Sequence, residues 1–256
     1  MNKYMIKGFV ALIILSSSCH DAQKIKSTDN IQLQELQGHV IPITVDLLVP
    51  TKILHTHDKL IIYDNIKDNF FKVFSIENLE YLYSWGKLGG APNEFNFIDD
   101  NSLQVYNNTI EILDKFTIKK VSVHDDSLYI FDQVKLNDFQ TPLNRLKKID
   151  DETYFADSPI EETSNFEHII IKPFAANSIQ GKFGDYPSDI DLSNNNINRY
   201  QTYLKTSTSA NAKFATFYMY FNKLKIYNAK GELKHEIKID SNNAVSYDPD
   251  KKSDNN

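Results

Sequence analysis

Short runs of β-branched and aromatic residues recur along the chain, broken by Asn, Asp, Gly and Lys. They include LIIY (60–63), FKVF (71–74), YLYSW (81–85), IEIL (110–113), HIII (168–171), FYMYF (217–221) and LKIY (224–227). Several alternate with period two, which sends successive side chains to opposite faces and marks strands. Polar pairs such as Asp99-Asp100, Asp125-Asp126 and Asn194-Asn195 supply the turns. Stripes of period 3.6 are hard to find, so the pattern predicts an all-β chain.

The runs repeat. FKVFSIENLEYLYSWG (71–86) aligns with LKIYNAKGELKHEIKI (224–239): apolar-Lys-apolar-aromatic, a polar turn, then a second strand. IKKVSVHDDSLYIFD (118–132) and HIIIKPFAANSIQGKFG (168–184) are looser copies. Strands ending in an acid precede several of them, at Asp64, Asp114 and Asp157, spaced 50 and 43 residues apart. A period of about 40–50 residues with four short strands per unit predicts a β-propeller of four-stranded blades. FATFYMYF (214–221) is apolar on both faces, as a strand between neighbouring blades must be. A β-sandwich is the rival, but it carries no such superimposed period. On the propeller reading, Asp64, Asp114 and Asp157 end inner strands and are expected to line the central channel, where carboxylates would bind a cation or a sugar hydroxyl. The plainer reading is that each caps a blade turn.

The first twenty residues carry the address. Lys3 and Lys7 precede an apolar run of about seven residues and then Ser16, Ser17 and Ser18. That run is too short to span a bilayer, which takes about 20 residues, so residues 1–18 are expected to be an export signal. Cys19 is the single cysteine, so no internal disulfide is available to it. LSSSC resembles the lipobox of bacterial lipoproteins, which implies cleavage before Cys19 and its acylation. Residues 19–36 are polar and read as a tether, and 37–256 as the propeller domain. Loss of Lys3 and Lys7 moves the net charge from −6 to about −8, and no basic cluster exists. Nucleic acid is therefore not an expected partner; the membrane, through the lipid anchor, is.

GKLGGAPNEF (86–95) concentrates three glycines, Gly86, Gly89 and Gly90, before Pro92, Glu94 and Phe95. A phosphate cradle needs its glycines between a strand and a helix. No helical stripe follows, no Lys follows the last glycine, and the spacing is not GxGxxG. A tight turn between blades fits better, with glycines free to adopt positive φ. This segment resembles the G-x-G-P-x-E-F element of the TolB-like six-bladed propeller lipoproteins of Gram-negative bacteria, with Ala91 where the family has Gly. The resemblance implies export and a ring fold, with the motif as a joint between one blade's outer strand and the next blade. It implies no catalytic residues.

Six blades of about 45–50 residues need about 270–300, and the mature domain supplies about 220. An incomplete ring of four to five blades, truncated at the C-terminus, is therefore expected. Other chemistry is sparse. His55 and His57 at i, i+2 would share a strand face but lack a third metal ligand nearby. Asp189, Asp191 and Ser193 begin like a calcium loop, yet Asn194 and Tyr200 break the pattern. Glu161-Glu162 and Asp150-Asp151 are adjacent pairs that face opposite ways on a strand. No nucleophile or zinc-protease motif appears, and no catalytic residue, metal or cofactor is assigned. The expectation is an outer-membrane-anchored lipoprotein, periplasmic or surface-facing, that binds a glycan, peptide or partner protein without catalysis. The alternative is a polysaccharide hydrolase or lyase, which would need two carboxylates, or a His with a carboxylate, at one channel mouth.

Overall fold

The computed structural model describes residues 23–25, 38, 40–137, 139, 143–157, 166–175, 178–186, 205–219 and 221–239. Strand β1 (Gln23–Ile25) precedes four antiparallel meanders. Blade 1 comprises β2 (Pro50–His55), β3 (Lys59–Asp64), β4 (Asp68–Ser75) and β5 (Tyr81–Lys87). Blade 2 comprises β6 (Gln104–Tyr106), β7 (Thr109–Asp114), β8 (Thr117–Val123) and β9 (Leu128–Lys135). Blade 3 comprises β10 (Lys147–Lys148), β11 (Tyr154–Asp157), β12 (Phe166–Ile171) and β13 (Ile179–Asp185). Blade 4 comprises β14 (Lys205–Ala210), β15 (Lys213–Tyr218), β16 (Lys223–Asn228) and β17 (Leu233–Lys238). In each blade the strands pair in chain order, and the described residues form four blades of an all-β propeller. Within the segment expected to be a tether, β1 runs parallel beside β17.

Local chemistry explains the meanders. Asn107 and Asn108 both take positive φ, 47° and 60°, making the two-residue turn from β6 to β7. Asn211 and Ala212 do the same between β14 and β15. Such turns match the right-handed twist of the strands they join. Every blade has a register shift between its third and fourth strands, at Val73/Phe74, Lys120/Val121, Ile170/Ile171 and Ile226/Tyr227. A bulge there increases the local twist, which suits sheets that fan around an axis.

The first strands gather at that axis: β2 lies against β6, and β10 against β14. The second strands of blades 1 to 3 are covered on both faces, with β7 buried from Ile110 to Asp114, whereas β15 of blade 4 alternates. Neighbouring blades share apolar cores. Ile61, Phe70, Val73, Phe95, Ile110 and Ile112 fill the space between blades 1 and 2. Leu113, Leu146, Tyr154 and Ile169 fill that between blades 2 and 3, and Phe155, Phe183, Phe214 and Tyr227 that between blades 3 and 4. The strands LIIYD, IEILD and TYFAD, expected to be innermost, are β3, β7 and β11, the second strand of each blade. The true innermost strands border the open channel and carry little apolar signal: QVY for β6, KK for β10, KTSTSA for β14.

Candidate functional site

The four first strands enclose a central funnel with a cavity of about 770 Å³, within the range of small-ligand sites. Lys52, Gln104, Lys147 and Thr206 reach it from the N-terminal parts of these strands. His55, Asn107, Asp150 and Asn211 come from their C-terminal ends and the turns that follow. Thr208 and Ser209 of β14 add hydroxyls. Donor side chains dominate this lining.

Lys147 is almost fully buried, and its ammonium donates to the Asn101 carbonyl. Burial, and then the charge of Lys52, push its pKa down to about 8. The neighbouring Lys148 turns away toward the blade 2 interface. There its Nζ lies 2.8 Å from Glu111, with the Tyr106 ring 4.6 Å away, while the Tyr154 hydroxyl donates to the same carboxylate at 3.1 Å. Two side chains of blade 2 reach across to secure β10: Gln104 Oε1 accepts from the Lys148 amide at 2.9 Å, and Ser102 Oγ from the Leu146 amide at 2.8 Å. Asp150 Oδ1 is held by the amides of Glu152 and Thr153, at 3.0 and 2.8 Å.

The three acids expected to line the channel do not line this cavity; they sit at the far ends of the second strands, Asp64 and Asp114 buried and Asp157 partly so. Asp64 accepts from the amides of Val49 and Leu48 at 2.5 and 3.1 Å. Asp114 Oδ1 accepts from the Asn96 and Phe97 amides, each at 2.9 Å, and its other oxygen pairs with Lys119 at 2.8 Å. Asp157 pairs with the Arg145 guanidinium at 2.7 Å. In each case the acid holds the segment that enters its own blade. At Asp64 and Asp114 the carboxylate satisfies backbone amides; at Asp157 it takes a guanidinium instead.

Asp157 also belongs to a polar cluster between blades 3 and 4. Glu167 and Lys205 lie 2.6 Å apart, both fully buried, and the Tyr218 hydroxyl donates to Glu167. His168, fully buried, stands 3.4 Å from Asp157 and 3.5 Å from Glu167. Burial lowers the His168 pKa. Lys205 leads the causes that hold Asp157 and Glu167 below the usual carboxylate range against desolvation. Rings of Phe183, Phe214 and Tyr227 enclose His168, and the side chains of Glu167, His168 and Lys205 are cut off from solvent. Glu167 and His168 are adjacent members of a strand buried on both faces, a placement the sequence pattern does not reveal.

In the decapeptide, Gly86 has φ 96°, and a Cβ there would collide with the Phe70 ring. Gly89 lies against the Glu94 carboxylate, while Gly90 has open space. Glu94 accepts from the Ala91 amide at 3.0 Å, and its carboxyl is held below the usual range chiefly by that bond. Pro92 occupies the turn preceding Glu94. Phe95 is fully buried, edge-on to Phe70 and Trp85, with ring centroids 5.5 and 5.6 Å apart.

His57 lies in the turn after β2 rather than on the strand with His55, so the two do not share a strand face. Among the described residues no group of three His, Cys, Asp or Glu is placed to hold a metal. Cys19, Glu161-Glu162 and the Asp189–Ser193 stretch fall outside the described residues.

Four consecutive meanders around a polar funnel define a β-propeller. Residues 29–239 match the TolB-like 6-blade propeller-like family, and the chain belongs to that family. No curated protein matches it. Among solved structures, a protein of Bacteroides fragilis described as exported is similar at 15% identity and a TM-score of 0.51, over 85% of this chain. The match covers 59% of that protein, so the chain spans less than two thirds of its length. The dihydro-heme d1 dehydrogenase NirN (9% identity, TM-score 0.39, 75% of this chain and 38% of that one) is also similar. So is the WD40 propeller domain of Doa1 (12% identity, TM-score 0.36, 72% and 52%).

Proposed function

We propose that the protein is a cell-envelope lipoprotein, anchored through acylated Cys19, that binds a glycan in its central funnel without catalysing a reaction. The observation that carries this reading is the cavity of about 770 Å³ and its lining of amides, hydroxyls and ammonium groups. Such groups exchange hydrogen bonds with sugar hydroxyls, and a funnel built from four strands holds them rigidly. A hydrolase would need free acid and base groups facing one bond. Among the described residues Asp150 is the single carboxylate of the lining, and one of its oxygens is already committed to two turn amides. The anchor follows from the leader and Cys19, with export as the compartment.

Two measurements test this. Radiolabelled palmitate is expected to enter the full chain expressed in a Gram-negative host and to be lost in Cys19→Ser. The full chain in detergent is expected to bind a subset of a glycan array, with signal lost when Thr208→Trp fills the funnel. A glycan signal unchanged by Thr208→Trp, or a turnover product released from any bound glycan, would overturn the reading.

A further inference from the structure

Two ammonium groups of the funnel, Lys52 and Lys147, have no ion-pair partner among the described residues. Lys52 stands on β2 and Lys147 on β10, so the two enter the cavity from blades on either side of blade 2. Neither forms an ion pair among the described residues; a single backbone carbonyl, that of Asn101, accepts from the Lys147 ammonium. An ammonium has three donors, so Lys147 keeps donors to offer. It is 4% exposed, and Lys52 is close enough for its charge to act on it. Burying one positive charge near another costs free energy, and the charges of Asp99 and Asp157 do not outweigh burial and Lys52. An anion entering between them offsets that cost.

Most of the remaining lining fits the same guest; Asp150, the carboxylate of the lining among the described residues, has one oxygen held by the Glu152 and Thr153 amides. Lys148, the third lysine of the wall, is neutralised by Glu111 and does not compete for it. β14 contributes the hydroxyls of Thr206 and Thr208, donors for oxygens that the lysines leave unmet. We propose that the throat between Lys52 and Lys147 binds an oxyanion, the carboxylate of an acidic sugar or a phosphate group. The proposal rests on the funnel being the ligand site and adds the charge of the ligand. The cavity is larger than an ion, which leaves room for the body of a sugar beside the charged group.

Calorimetry on the full chain in detergent at low salt tests this with three probes: oligogalacturonate, its fully methyl-esterified form, and inorganic phosphate. Oligogalacturonate is expected to bind at least tenfold tighter than the ester, and to weaken as salt rises. Lys147→Met and Lys52→Met are each expected to weaken it about tenfold and to weaken the ester several-fold less. Lys52 is half-exposed, so its replacement remains informative if Lys147→Met disturbs folding. Binding of phosphate without oligogalacturonate supports the site and assigns it to free phosphate; the reverse supports it and assigns it to a sugar acid. Equal binding of acid and ester, indifferent to both lysine variants, overturns the oxyanion site while the funnel reading stands. Failure of both oligogalacturonate and phosphate to bind also overturns it, and the Thr208→Trp comparison then decides the funnel reading separately.

Discussion

Asp114 and Lys119 form an ion pair at 2.8 Å, with side chains only 1% and 7% exposed. The pair joins more than two strands. Asp114 also accepts from the Asn96 and Phe97 amides. Lys119 donates to the Glu94 carbonyl at 2.5 Å and lies 4.5 Å from the centre of the Phe95 ring. The joint from blade 1 is thereby locked onto blade 2. Breaking a buried pair from one side leaves a charge uncompensated, at a cost of about 3–5 kcal/mol. Asp114→Asn is expected to lose that much, read as a lower urea midpoint, and Lys119→Met in the same chain to restore part of it.

The three glycines of the joint are not equivalent. Gly86→Ala is expected to destabilise strongly, because its φ is 96° and the Phe70 ring occupies the Cβ position. Gly90→Ala meets nothing and is expected to stay within about 0.5 kcal/mol of the parent. Phe95→Ala removes a fully buried ring and is expected to cost about 3–5 kcal/mol. Urea unfolding of the three variants side by side checks the ranking.

Lys147 predicts a stability gain on the alkaline side. Its folded pKa is about 8 against an ordinary 10.5, so between these values the unfolded chain holds more protons than the folded one. Stability contributed by this group is therefore lowest below pH 8 and rises as pH climbs toward 10.5. The charged groups acting on it are Lys52, Asp99, Arg145 and Asp157. Lys147→Met is expected to flatten the rise of the urea midpoint between pH 8 and 9.5, and to raise the midpoint at pH 7. The oxyanion site would then carry a stability cost.

The sealed cluster predicts the acid limb. His168 is held below its ordinary 6.5, chiefly by burial, so the unfolded chain binds its proton first and stability falls as pH drops below 6.5. Asp157 and Glu167 are depressed as well, so their contribution is lost as pH falls further, below about 4. His168→Phe keeps a ring among Phe183, Phe214 and Tyr227 and removes the titration. The parent's urea midpoint is expected to drop between pH 7 and pH 5, and that of His168→Phe to change little over the same interval.

Legibility in the sequence tracked burial. IEIL and LIIY were readable as strands because β7 and β3 are covered on both faces and must be apolar throughout. The same feature makes them look innermost and draws Asp64, Asp114 and Asp157 toward the channel, whose cavity they do not line. The strands that do face the channel, QVY and KK, are only three and two residues long, too short to show an alternating apolar pattern. Their pattern is indistinguishable from a loop. The site was therefore harder to read than the fold.

By itself the sequence determined where the buried second strands lie and that residues 86–95 form a turn rather than a phosphate cradle. Alternation, positive φ and a burial-ready aromatic are local demands, met within a few residues. Only the tertiary structure decided that Lys52 and Lys147 share one cavity and that Glu167, His168 and Lys205 share one sealed cluster. Those neighbours come from different blades, and their proximity depends on how whole sheets pack around an axis.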